Sequence, residues 1–90
     1  MNLERVPNRK TDLWKNEDQE IYILDATGES IHKLNLTASC IWELCDGSHT
    51  IEKIILEISS IYDVDTETAT QTTVDFLETM VKKDLIEMRE

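Results

Sequence analysis

Two histidines and two cysteines lie within residues 32–49 of this chain: His32, Cys40, Cys45 and His49. Imidazole and thiolate are zinc ligands, but zinc sites use about four ligands at recognisable spacings, and these positions follow none of them. The cysteines are not a C-x-x-C pair, so the redox motif is missing. On a helix their Cα atoms would lie roughly 8 Å apart, beyond disulfide reach. We therefore expect no metal or cofactor, and we interpret both cysteines as small buried apolar residues.

Catalytic motifs are missing from the rest of the chain. Nucleophilic catalysis requires a Ser or Cys held against a base that a third group orients, and no such trio is evident. The sequence contains no G-x-S-x-G, no P-loop and no G-x-G-x-x-G. Its Asp and Glu residues fall on expected helix surfaces, where charged side chains are usually solvated. We predict that the protein is not an enzyme.

Length and charge restrict the remaining functions. Ninety residues with 40% hydrophobic and 31% charged side chains are typical of one small globular domain, residues 1–90. The formal net charge is −10, from 19 acidic and 9 basic residues, which argues against nucleic-acid binding. No apolar run approaches the roughly 20 residues of a membrane span, and the N-terminus lacks an apolar signal-peptide core. We expect a cytoplasmic protein without a membrane partner.

The first third of the chain is predicted to form antiparallel strands. Residues 20–25, EIYILD, are rich in Ile and Tyr, and residues 30–34, SIHKL, alternate between two faces. The turn ATGE at residues 26–29 joins them, with Gly28 available for a positive φ. A further strand around residues 12–15 is a weaker expectation. This small sheet must pack against helices to be stable.

Three amphipathic helices are predicted after the strands. The first follows Asn35 as N-cap, with Thr37 as the alternative, and ends at Asp46-Gly47. The second runs from Thr50 to Tyr62, and the third from Asp65 or Thr66 to Lys83. The apolar stripes predicted to face the core are Leu36, Cys40, Ile41, Leu44 and Cys45; Ile51, Ile54, Ile55, Ile58, Ile61 and Tyr62; and Ala69, Thr73, Phe76, Leu77, Met80 and Val81. Leu85, Ile86 and Met88 form a short apolar tail that we expect to return to the core.

This order of elements predicts an α+β fold of the winged helix-turn-helix type, with its sheet placed first. A winged helix suggests DNA binding, but the third helix carries no basic stripe to approach phosphates. The exposed edge of the SIHKL strand is the remaining candidate site. Its unpaired main-chain groups could accept an extended peptide as an added strand, or Lys33 could simply protect the edge from aggregation.

A second candidate surface runs down the third helix, where Thr and Val interrupt an otherwise acidic sequence. Core packing is the alternative interpretation of Leu77 and Val81, so Thr70 and Val74 are the more diagnostic positions. The predicted peptide-binding residues are therefore Ser30, Ile31, His32, Lys33, Leu34, Thr70, Thr73, Val74, Leu77 and Val81.

The run LNLTASCIWELCDGSHTIEKI resembles the PqqD-like family, the peptide-binding domains called RiPP recognition elements. The matching positions are Leu34-Asn35, Thr37-Ala38, Ile41-Trp42-Glu43-Leu44, Asp46-Gly47 and Thr50-Ile51, with YDVD at 62–65 and VDFLETMVKKDLI at 74–86. The resemblance covers about residues 20–88. One departure is Asp84, where family members commonly have Gly.

The resemblance implies a three-stranded sheet packed on three helices. It also implies that the leader segment of a ribosomally made precursor peptide binds as an added strand, beside the last sheet strand and the third helix. A separate modifying enzyme, often a radical SAM maturase or a lasso-type peptidase, then acts on the core segment. We expect a non-catalytic adaptor that is a monomer, with a dimer as the open alternative. The rival hypotheses are a small winged-helix regulator that binds DNA or a regulatory protein, and a structural subunit.

Overall fold

The computed structural model describes residues 2–25 and 27–89, which contain five short strands and three helices. Their order along the chain is β1 (Val6–Arg9), β2 (Trp14–Glu17), β3 (Glu20–Leu24), β4 (Ile31–Lys33), α1 (Leu36–Leu44), α2 (Ile51–Tyr62), α3 (Thr66–Lys82) and β5 (Ile86–Arg89). The predicted α+β class, with a three-stranded antiparallel sheet followed by three helices, is confirmed. No helix among these residues is long and apolar enough to cross a membrane.

The three-stranded sheet has the order β2-β3-β4, so β4 lies at one edge. Both pairings are antiparallel, as expected for strands joined by short turns. β4 is shorter than the predicted 30–34, and β2 begins two residues later than the predicted 12–15. Gly28 has a φ of +77°, as its place in the turn predicted. The predicted turn also includes Ala26, which lies outside the described residues.

A second sheet pairs the two ends of the described chain, since β1 runs antiparallel to β5. This pairing was not predicted, because Val6–Arg9 contains a proline and only one aliphatic residue. The expected return of the C-terminal tail is confirmed, with Leu85 and Ile86 fully buried. Asn8 also forms an isolated bridge with Asp46, which fastens the segment after α1 to this sheet.

Each helix begins at a side chain that accepts a hydrogen bond from the backbone N–H three residues later. These N-caps are Asn35, Thr50 and Asp65, and they agree with the predicted starts. Thr37 lies inside α1 and does not cap it. α1 ends at Leu44, earlier than predicted, because Cys45 leaves the helical conformation with a ψ of 56°.

The helices turn one face toward the sheet and form a common core. The buried apolar residues are Ile21, Ile23, Leu34, Ile41, Trp42, Cys45, Ile51, Ile54, Ile55, Ile58, Ala69, Leu77, Met80, Leu85 and Ile86. Three residues of the predicted stripes were assigned wrongly: Leu36, Ile61 and Val81 are 50%, 55% and 41% exposed. They lie in the first or last turn of their helices, where the chain diverges from the core.

Asp84 occupies a backbone conformation that favours glycine, with a φ of +60°. Its carboxylate forms an exposed ion pair with Lys10, whose loss should matter little. We expect an Asp84→Ala variant to be less stable than Asp84→Gly by about 1 kcal/mol, because only glycine adopts this conformation without a Cβ penalty. Urea denaturation of the two variants measures the difference. Equal stability would show that the backbone is not strained here.

Candidate functional site

The free edge of β4 offers main-chain groups to a partner. At the two ends of the strand, the Ser30 C=O accepts from the N–H of Asp25, the residue after β3, at 2.9 Å, and the Leu34 N–H donates to the Ile21 C=O of β3 at 2.8 Å. Because hydrogen-bonded and non-hydrogen-bonded pairs alternate in an antiparallel ladder, His32 also faces β3. Ile31 and Lys33 therefore direct their N–H and C=O groups away from the sheet. An added strand would bond to these two residues.

The side chains of this strand alternate between two environments, as predicted. His32 and Leu34 point toward the helices, where His32 is half-buried and Leu34 is buried. Ile31 and Lys33 point to the opposite, outer face of the sheet, and Ile31 is 67% exposed. Ser30 precedes the strand and is exposed. The edge thus combines free main-chain groups with an uncovered apolar side chain.

Ser39 anchors the end of β4 to the sheet, a role that the sequence did not reveal. Its hydroxyl accepts a hydrogen bond from the Ile21 N–H at 2.9 Å and donates one to the Leu34 C=O at 3.2 Å. The residue is only 2% exposed, so neither backbone group has water as a substitute. A serine in the first turns of a helix is usually solvated, which explains why it was not recognised.

Replacing Ser39 with alanine is expected to lower the free energy of unfolding by about 1–3 kcal/mol. The substitution leaves two buried backbone groups without their partner, and that desolvation penalty is not recovered. Thermal and urea denaturation measure the loss. Ser60→Ala, at an exposed position of α2, is the matched control and should change stability by less than about 0.5 kcal/mol. An equally small effect at Ser39 would contradict the bridging role.

The structure divides the predicted strip on α3 into two groups. Thr73 and Leu77 are fully buried in the core, whereas Thr70 and Val74 are half-buried and Val81 is largely exposed. α3 packs mainly on α2, β5 and α1, and it does not pack closely on β4. Both elements nevertheless contribute to one core, through Leu77 of α3 and Leu34 beside β4. A peptide could contact Thr70, Val74 and Val81 directly, while Thr73 and Leu77 support the helix from the core.

The Thr73 hydroxyl is buried without a hydrogen-bond partner among the described residues. Thr73→Val, which replaces this hydroxyl with a methyl group of similar size, is therefore expected to stabilise the protein by about 1 kcal/mol. Thr70→Val is the matched control on the same helix, since the Thr70 hydroxyl donates to the Thr66 C=O at 2.7 Å. The control should gain nothing in a denaturation experiment. A loss of stability at Thr73 would indicate that its hydroxyl is bonded, for example to water.

An open groove on the outer face of the sheet lies next to the β4 edge. It has a volume of about 300 Å³ and is lined by Asp12, Leu13, Trp14, Lys15, Tyr22, Leu24 and Ile31. Sequence reasoning did not assign these residues to a site, apart from Ile31. The alternation in EIYILD contained the signal, because Tyr22 and Leu24 fall on the face opposite the buried Ile21 and Ile23.

Cys40 and Cys45 are both free thiols, one half-buried and the other buried. Burial raises the pKa of the Cys45 thiol to about 12, and its Sγ lies 3.1 Å from the Ile41 C=O. Burial also raises the pKa of Cys40, so both thiols stay protonated and weakly nucleophilic. Within residues 2–25 and 27–89, no group of three or more His, Cys, Asp or Glu side chains is arranged to hold a metal ion.

Solved structures include a similar fold. The structure titled "TbiB1 in Complex with the TbiA(beta) Leader Peptide" matches with a TM-score of 0.77 and 27% sequence identity, over 89% of this chain and 94% of that chain. A search of curated protein sequences returns no match.

The sequence model of one protein family matches residues 20–86, from β3 to the first residue of β5. This range contains the free edge of β4, all three helices and every predicted peptide-binding residue. The family is described as coenzyme PQQ synthesis protein D, and this match over most of the chain agrees with the resemblance in its packing residues. The chain belongs to the PqqD family.

Proposed function

We propose that this protein is a non-catalytic adaptor that captures the leader segment of a ribosomally made precursor peptide and presents it to a separate modifying enzyme. The leader adds a strand to the free edge of β4. The observation that carries the proposal is this edge, with outward main-chain groups at Ile31 and Lys33, in a chain similar to a protein that was solved with a leader peptide.

Main-chain hydrogen bonds supply an affinity that tolerates many leader sequences, and pockets for alternate side chains supply selectivity. Thr70, Val74 and Val81 on α3 are the exposed or half-buried residues that would contact the inner side of the leader. Thr73 and Leu77 act from the core by holding this helix in place. Their burial is consistent with an indirect role in the same site.

The second partner is the enzyme that modifies the core segment, such as a radical SAM maturase or a lasso-type peptidase. Holding the leader converts the encounter between core and enzyme into an intramolecular one. Millimolar effective concentrations are typical of short flexible linkers. The adaptor thereby accelerates the modification without supplying a catalytic group of its own.

Titration with the precursor peptide encoded beside this chain tests the proposal. Calorimetry should show binding of the leader segment and none of the isolated core segment. In NMR spectra, the amides of Ile31 and Lys33 should shift and gain protection from solvent exchange. Mass spectrometry should find the precursor unchanged after incubation with this protein alone. Absence of binding by any neighbouring small peptide would refute the adaptor function, and a modified precursor would refute its non-catalytic character.

A regulator that binds DNA is the alternative from the sequence. The net charge of −10 and the scarcity of basic residues on α3 do not favour it. A DNA gel-shift experiment at low salt separates the two functions, since phosphate binding would show there and fall steeply as salt rises.

A further inference from the structure

We infer that the leader peptide presents an acidic residue beside Lys33 and a large apolar residue beside Ile31, separated by one residue. Both side chains would lie on the outer face of the sheet. The inference rests on the proposed function, and it assigns the chemical class of two leader positions. An antiparallel leader would read acidic-x-apolar, and a parallel one apolar-x-acidic.

The register of the sheet defines two cross-strand rows on this face. Leu24 pairs with Ile31, and the Leu24 N–H donates to the Leu13 C=O at 2.8 Å, so these three side chains form an apolar row. Tyr22 pairs with both Lys15 and Lys33 and forms the neighbouring row. A strand added to β4 extends each row by one side chain, because directly opposed residues share a face.

The apolar row is uncovered where the leader would lie. Ile31 is 67% exposed and Leu13 is 58% exposed, and the groove between them crosses Leu24 and Tyr22. Isolated exposed apolar residues are common, but a continuous row along a groove indicates a binding surface. A large leader side chain opposite Ile31 would cover that residue and reach diagonally into the groove. A small or polar side chain would leave the row open to water.

Lys33 determines the charge expected of the leader residue opposite it. Its ammonium group lies 5.9 Å from the centre of the Tyr22 ring and 3.6 Å from the Glu20 carboxylate, which keeps it on the outer face. Glu20 belongs to β3 and therefore lies on the side of Lys33 that is away from the free edge. On the side that faces the free edge, no strand of the described sheet places an acidic residue beside Lys33. Salt screens the remaining negative charge of the protein beyond about 8 Å. A leader carboxylate opposite Lys33 would therefore be favoured, and a leader Lys or Arg would be repelled.

A display library of random twelve-residue peptides, selected against the full chain, tests the inference. The enriched peptides should contain an acidic and a large apolar residue two positions apart. Selection against Lys33→Glu should exchange the acidic residue for Lys or Arg. Selection against Ile31→Thr, which keeps the strand conformation, should lose the apolar preference. With one enriched peptide, each single charge reversal should weaken binding about fivefold, and the double reversal should restore it.

Lys53→Glu is the matched control, because Lys53 is an exposed lysine of α2 that lies outside both the sheet and the groove. It should leave the enriched sequences unchanged. Amide exchange identifies where the enriched peptides bind. If the enriched peptides protect the amides of Ile31 and Lys33, but selection against Lys33→Glu or Ile31→Thr enriches the same sequences, the inference is wrong. Strand addition at β4 would then still be supported. If no enriched peptide protects these amides, strand addition at β4 is wrong as well.

Discussion

Replacing Ile31 with proline is expected to weaken leader binding about tenfold while the protein stays folded. Proline removes the outward N–H of Ile31 and places its ring against the incoming strand. This N–H bonds nothing in β3, because Ser30, His32 and Leu34 face β3 instead. Proline is tolerated at edge positions of this kind. Calorimetric titration with the leader measures the affinity, and circular dichroism reports the fold.

Two further variants isolate the role of the main chain. Ile31→Thr retains the N–H and should lose only the side-chain contribution, so its affinity should fall less than that of the proline variant. His32→Pro removes a group that faces β3 and should destabilise the protein itself. If Ile31→Pro binds the leader as tightly as the unmodified protein, the peptide does not pair with β4.

Truncating Leu77 to alanine is expected to lower the free energy of unfolding by about 2–5 kcal/mol. The side chain is fully buried in the common core, so its removal loses apolar burial and leaves a cavity. This cost is a large fraction of the stability of so small a domain. Urea denaturation measures it. A change below about 1 kcal/mol would show that Leu77 faces a groove rather than the core.

Val74→Ala is the matched control on α3, since Val74 is half-buried and lies one turn before Leu77. It should cost less than about 1.5 kcal/mol in stability, yet weaken leader binding if α3 contacts the peptide. The pair of variants therefore separates the predicted residues that contact the leader from those that only support the helix.

Local signals predicted much of this fold. The three N-caps and the fully buried stripe of α2 from Ile51 to Ile58 follow from short-range hydrogen bonding and helical periodicity. The alternation within SIHKL correctly predicted that Ile31 and Lys33 lie on one face of β4 and His32 and Leu34 on the other. These features depend only on residues close in the sequence, which is why they were accessible without the structure.

Features that depend on distant pairing were not accessible. β1 forms only because β5 returns to it from the other end of the chain. Ser39 is buried only because α1 lies against β3. Thr73 and Leu77 were predicted both to face the core and to bind the peptide, and the structure buries both in the core. Helical spacing predicts which residues share a face, but not how far that face is covered by the rest of the protein.

The shortness of β4 would limit how long a leader added to its edge stays bound. Ile31 and Lys33 together offer two N–H and two C=O groups, and at about 0.5–1.5 kcal/mol each these contribute roughly 2–6 kcal/mol. Even the upper end of this range corresponds to a dissociation constant of only about 4 × 10⁻⁵ M from the main chain alone. Such a complex exchanges rapidly, so one adaptor molecule would release a processed peptide and serve the next. A longer-lived complex would require contacts from leader side chains. The sequence of the leader would therefore determine how quickly the adaptor releases it.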